Sequence, residues 1–298
     1  MTFRLRLFAA LMLLAAVARA DIIVLASDDK GAVGAASAAL RAAYGGRVEL
    51  LSLSGSRARE SEIVTSIMDS PRTQVVAVGV LAAQVARLRL AGKQVVFCQV
   101  LNVEEGNLVT PWMKGVSALP SLYRQFAAWK AIDPNLRRIG LITGGRAAYM
   151  LAEAEAAARA LGLEVEHIAV ASDRGVLPAL QELRERRIQG LWLAPDSTIL
   201  SQRAIGDVMA YSVRNGLPVL AFSPVLLREG ALLSATASPR EIAEAALERL
   251  RRAEPGSGLV PGDAVSPLAG ASVTVSASAL ARFGLTVPAR IREQVNVQ

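Results

Sequence analysis

Val75-Val76-Ala77-Val78-Gly79 and Val95-Val96-Phe97-Cys98-Gln99 decide the fold, together with the helix-length segment between them that ends near Gly92. Each apolar run is short, rich in β-branched residues, and stops at a glycine or a polar side chain. Runs of that kind suit strands buried on both faces, and the segment between them suits the crossover helix of a parallel pair. The pattern extends upstream. Ile22-Ile23-Val24-Leu25 precedes an Ala-rich helix over residues 32–44, residues 48–53 form a strand, and residues 60–68 a helix. The order is β-α-β-α-β-α-β, the mark of a doubly wound parallel sheet.

Residues 101–118, with Asn102, Gly106, Asn107, Pro111 and Gly115, carry no clean periodicity. The alternation then restarts, with helices over residues 121–132, 146–161, 176–187 and 201–215. Strands over residues 139–143, 165–170, 191–193 and 219–222 fall between them. Leu232-Leu233-Ser234-Ala235 reads as a further strand, and Ser238-Pro239-Arg240-Glu241 as a capping box opening a helix. Pro255-Gly256-Ser257-Gly258 ends that helix, and Val273-Thr274-Val275 and a helix around Arg282-Phe283-Gly284 close the chain. Two α/β blocks separated by an irregular segment mean two lobes. The expected division is residues 21–117 with 229–256, and residues 118–228 with 257–298, joined by several crossovers.

The first twenty residues read as a secretory leader. Arg4 and Arg6 form a basic start, Leu7 through Val17 is uninterrupted apolar sequence, and Ala18-Arg19-Ala20 is a small-x-small cleavage site. The apolar run falls short of the ~20 residues that span a bilayer. The expectation is a protein exported to the periplasm and cut after Ala20. Losing Arg4, Arg6 and Arg19 lowers the formal charge from +7 to +4. That excess is modest, and the densest basic run, Arg184-Glu185-Arg186-Arg187, carries its own acid, so nucleic acid is not the expected partner.

Cys98 and His167 are the only residues of their kinds. One of each excludes an internal disulfide and a Cys/His zinc site, and leaves most hydrolytic constellations without their parts. No GxGxxG follows the first strand, and Lys30-Gly31-Ala32-Val33-Gly34 lacks the phosphate-loop spacing. The chain is read as a binding protein and not an enzyme, with no cofactor expected.

In open α/β sheets ligands lie beyond the carboxyl ends of the strands. The candidate ligand-binding residues are therefore Ser27, Gly79, Gln99, Ser117, Gly144, Asp196, Ser197 and Ser223. Asp196 leads them, because a carboxylate in a cleft can pair with a ligand ammonium group. The alternative is that Asp196 or Ser197 caps the following helix. Thr143-Gly144-Gly145-Arg146 offers amides at a helix start for an anion, or simply makes a tight turn. Trp112 is either a stacking wall or loop packing, and Trp129 and Trp192 read as core.

Several motifs, in order, carry a family resemblance over about residues 21–298. They are Leu191-Trp192-Leu193-Ala194-Pro195-Asp196-Ser197-Thr198, Pro218-Val219-Leu220-Ala221-Phe222, Gly230-Ala231-Leu232, and Arg282-Phe283-Gly284-Leu285-Thr286-Val287-Pro288. Together behind a leader they resemble the solute-binding proteins of ABC transporters with the periplasmic-binding type I fold. The nearest branch is the one with tryptophan- and tyrosine-binding components. The resemblance implies a monomeric clamp for a small polar ligand such as an amino acid, delivered to a membrane permease. One departure bears on this. Where the family carries Asp-Pro-Val and Gly-Gly-Asn-x-Thr-Gly segments, this chain reads Cys98-Gln99-Val100-Leu101-Asn102-Val103 and Lys114-Gly115-Val116-Ser117. A different ligand, or a sensing module that signals to a membrane kinase or receptor, is the alternative it opens.

Overall fold

The computed structural model describes residues 22–252, save 102, 104 and 105, and residues 264–298. The leader, its cleavage point and the 255–258 helix stop lie outside the described residues.

The first sheet is built from β1 (Ile22–Ala26), β2 (Val48–Ser52), β3 (Gln74–Val78), β4 (Gln94–Cys98) and β5 (Met113–Pro120). A later strand, β11 (Val265–Leu268), joins it, and the order is β11-β5-β4-β3-β1-β2 with every pair parallel. Helices α1 (Gly31–Tyr44), α2 (Glu60–Asp69) and α3 (Val80–Arg89) alternate with these strands. The two-residue period of a strand divides the apolar runs between two cores. Ile23, Leu25, Val75, Ala77, Val95 and Phe97 pack against α2 and α3. Ile22, Val24, Val76, Val78, Val96 and Cys98 face α1 and a helix from far down the chain, α8 (Pro239–Arg252). Both faces of the central strands are covered, so continuous apolar runs form there without exposing an apolar side. Burial pushes the Cys98 thiol up to about 12, which leaves it a protonated core hydrophobe.

The second sheet contains β6 (Arg138–Thr143), β7 (Glu164–Ala169), β8 (Gly190–Leu193), β9 (Val219–Ala221), β10 (Leu233–Thr236), β12 (Ser272–Val275) and β13 (Val295–Val297). Its order is β13-β12-β10-β9-β8-β6-β7, and only the β10–β12 pair is antiparallel. The connecting helices are α4 (Leu122–Ile132), α5 (Ala148–Ala160), α6 (Val176–Glu185) and α7 (Gln202–Asn215), with α9 (Ala277–Phe283) after β12. Trp129, Trp192 and Phe126 centre the α4–α5 core, where Phe126 meets Trp192 edge-on at 5.8 Å. The α6–α7 core is aliphatic.

Three features differ from the sequence expectation. Part of the irregular 101–118 segment is β5, whose register places Gly115 beside Phe97. The residues 229–236 do not return to the first lobe, because Leu233 pairs with Leu220 of β9 in the second sheet. The crossover into the first lobe follows Thr236, and α8 then packs on the first sheet. Residues 265–268 belong to the first lobe as well, since Val265 pairs with Gly115, so the last crossover lies at residues 269–271 and not at 256–257. Pro267 hid this strand, and β11 tolerates it because it is an edge. The capping box forms as read: Ser238 N–H donates to Glu241 Oε2 at 2.8 Å and Glu241 N–H to Ser238 Oγ at 3.1 Å.

Among the described residues no helix is long and apolar enough to cross a membrane.

Candidate functional site

The carboxyl ends of the parallel strands in the two sheets supply the candidate positions, and each can be followed to its partners. After β1, Ser27 is buried and its Oγ accepts the Ala82 N–H at 2.8 Å, satisfying a donor in the first turn of α3. Gly79 follows β3 with φ of 89°, and a Cβ there would stand 2.6 Å from Ser27 Oγ. Ser27 and Gly79 are thus locked together by the helix start. Gln99 follows β4 in the left-handed region, φ 56°, half-buried. Ser117 lies in the strand that crosses between lobes; its Oγ donates to Leu119 O at 2.7 Å and accepts from Leu119 N–H at 3.2 Å.

Across the cleft, Asp196 is only 4% exposed. Its Oδ2 accepts the Gly144 N–H at 2.7 Å and its Oδ1 the Thr198 N–H at 2.9 Å. The carboxylate therefore ties the turn after β8 to the turn after β6. Gly144 must be glycine for that approach, because a Cβ there would meet Thr198 Oγ1 at 2.4 Å. Neither Asp196 nor Ser197 caps the next helix: Ser201 does, accepting from Ala204 N–H at 3.1 Å. Ser197 is exposed, and Ser223 is half-buried ahead of a short 3-10 turn at Pro224–Leu227. His167, on β7, bonds through Nε2 to Thr143 Oγ1 at 2.9 Å, and burial holds its imidazole below the ordinary range while Glu155 opposes that shift.

A cavity of about 640 Å³ opens between the lobes. Of the eight sequence candidates, Ser117 and Asp196 line it, and Ser27, Gly79, Gln99, Gly144, Ser197 and Ser223 do not. Its first-lobe wall includes Val100, Leu108 and Val265; its second-lobe wall includes Met150, Glu153 and Trp192. Trp112, by contrast, packs against the first-lobe core.

Glu153, Gln125 and Arg146 are the lining residues that strand-end reasoning missed. Glu153 sits on α5 one helical turn from Tyr149 and Met150, which also line the cavity. That shared face was the available signal, and the rule that ligands sit beyond strand ends passes over helix faces. Glu153 Oε1 accepts the Leu122 N–H at the start of α4, 3.2 Å away. Burial pushes its carboxyl above the ordinary range, and the Leu122 hydrogen bond offsets only part of that.

No family model matches the chain, and no curated protein matches it in sequence. Solved structures match it along nearly its whole length. A substrate-binding protein with adhesive properties from Clostridium difficile, in its ligand-free, open structure, superposes with a TM-score of 0.66 at 15% identity, covering 93% of this chain and 98% of that one. An ABC domain in complex with L-Trp from Streptococcus pneumonia gives 0.62 at 18% identity, covering 94% and 99%. A transcriptional activator of the comK gene from Bacillus halodurans gives 0.55 at 12% identity, over 92% and 94%. Likeness at these identities is one of fold, and the fold is the two-lobed α/β type I periplasmic-binding architecture.

Proposed function

We propose that this chain is an exported solute-binding protein, the ligand-capturing component of an ABC transporter. The observation that carries the reading is the interlobe cavity, whose walls come from both sheets and from the strand that crosses between them. A solute touching both walls gains contacts when the lobes approach, so binding shifts an open–closed equilibrium through contacts made only in the closed state. No bond is made or broken. The order of motifs in the chain and the fold shared with substrate-binding proteins support the same reading. Ser117 and Asp196 are the strand-end residues that line this cavity. The leader directs the chain to the periplasm, where a permease is the partner and the protein works as a monomer.

A sensing role is the second reading. It is favoured by the altered segments at residues 98–103 and 114–117 and by the appearance of this fold in a transcriptional activator.

A thermal-shift screen of amino acids, amines, sugars and other small solutes tests the proposal. A ligand at 100 times its dissociation constant adds about 2.7 kcal/mol of stability. A screen in which nothing stabilises the protein counts against solute binding. Material recovered from the envelope fraction should begin at Asp21 by mass spectrometry; retention of Arg4 and Arg6 refutes export.

A further inference from the structure

The cavity walls are mostly apolar, and their polar atoms point to one chemistry. The side chains there that carry charge are Arg146, Glu153 and Asp196, one cation against two carboxylates. Arg146 is exposed. Asp196 has a backbone amide on each oxygen. Glu153 has only the long contact from Leu122, and among the described residues no cation pairs with it. Close by in the fold, Gln125 lies one turn along α4 from Leu122 and is fully buried. Its Nε2 donates to Pro120 O at 2.7 Å, which fixes the amide orientation, and its Oε1 has no partner among the described residues. Glu153 thus presents a carboxylate without a cation partner among the described residues, on a cavity whose remaining surface is largely hydrocarbon, while Gln125 Oε1 lies unpaired but shielded behind that wall.

We propose that the cavity selects a primary amine on an apolar body, with the ammonium group held by Glu153. A primary ammonium brings one positive charge, matching the excess carboxylate, and donors for the Glu153 oxygen that Leu122 leaves open. A carboxylate on the ligand is not required, and a ligand anion without an amine is disfavoured by both carboxylates. This assignment rests on the solute-binding reading and specifies its ligand class. It gives Asp196, whose oxygens are already bonded, the task of shaping the wall.

The experiment uses four probes that share a phenylethyl body: phenethylamine, L-phenylalanine, 3-phenylpropionate and 2-phenylethanol. Calorimetric titration of the full mature chain should show phenethylamine binding at least as tightly as L-phenylalanine, and at least about tenfold more tightly than the anion or the alcohol. Glu153→Gln keeps an acceptor for the Leu122 amide, so the variant should fold, as circular dichroism and melting will verify. It should weaken phenethylamine binding by about tenfold or more while leaving 2-phenylethanol unchanged. Equal binding of anion and amine, an unchanged amine affinity in Glu153→Gln, or failure of all four probes overturns the assignment. Failure of the four while another solute class stabilises the protein leaves solute binding standing; silence of the wider screen as well removes both.

Discussion

Replacing Asp196 separates three roles that a cleft aspartate can have. In the structure its carboxylate is buried and accepts Gly144 N–H at 2.7 Å and Thr198 N–H at 2.9 Å. Hydrogen bonds to a charged group contribute about 1.5–3 kcal/mol each, and stranding a buried amide costs a similar amount. Asp196→Asn retains one acceptor oxygen and turns an NH₂ group towards the other amide. One bond is lost and two donors face each other, so the empty protein should lose about 1.5–3 kcal/mol. Asp196→Ala strands both amides and should lose about 3–5 kcal/mol. Urea unfolding of the ligand-free proteins at neutral pH measures this, with an unchanged m-value as the check that one transition is being compared. A helix cap would predict a harmless Asn, since Asn and Asp rank alike at that position. A residue used only as a ligand counter-ion would leave the empty protein unharmed or stabilised. If Asp196→Asn unfolds within about 0.5 kcal/mol of wild type, the tie between the two turns is not a structural necessity and the argument fails.

Two further predictions concern the same lobe. Gly144→Ala drives a Cβ into Thr198 Oγ1 and should cost about 1–3 kcal/mol by overpacking, with Thr198→Ala restoring most of it; a double mutant no better than Gly144→Ala would refute the clash. His167 is held below its ordinary value of 6.5 by burial, so the unfolded chain binds a proton that the native chain resists. Stability should therefore fall as pH drops below about 6.5 towards the lower folded value, and His167→Gln should flatten that limb; parallel pH–stability curves for the two proteins would contradict it.

The strand and helix order was legible in the chain because burial has a local signature. Ile22–Ala26 is buried at every residue, and a run that short, rich in β-branched residues and without polar alternation suits a strand covered on both sides. The Ser238–Glu241 capping box was legible for the same reason, since its two hydrogen bonds span three residues. Partner choice was not. Leu233–Thr236 reads as a strand that could join either sheet, and only its pairing with Leu220 assigns it to the second lobe. Val265–Leu268 carries a proline and little apolar surface, so its place beside Gly115 depends on a neighbour about 150 residues away in the chain. The site divided along the same line. Ser117 and Asp196 were named from their positions after apolar runs, and both line the cavity. Glu153 lies in the middle of a helix and acquires its meaning from Leu122, a contact made only when α4 and α5 pack. Periodicity along a chain records whether a side chain is buried; which unpaired atom it meets there is decided by the packing of elements that the sequence holds apart.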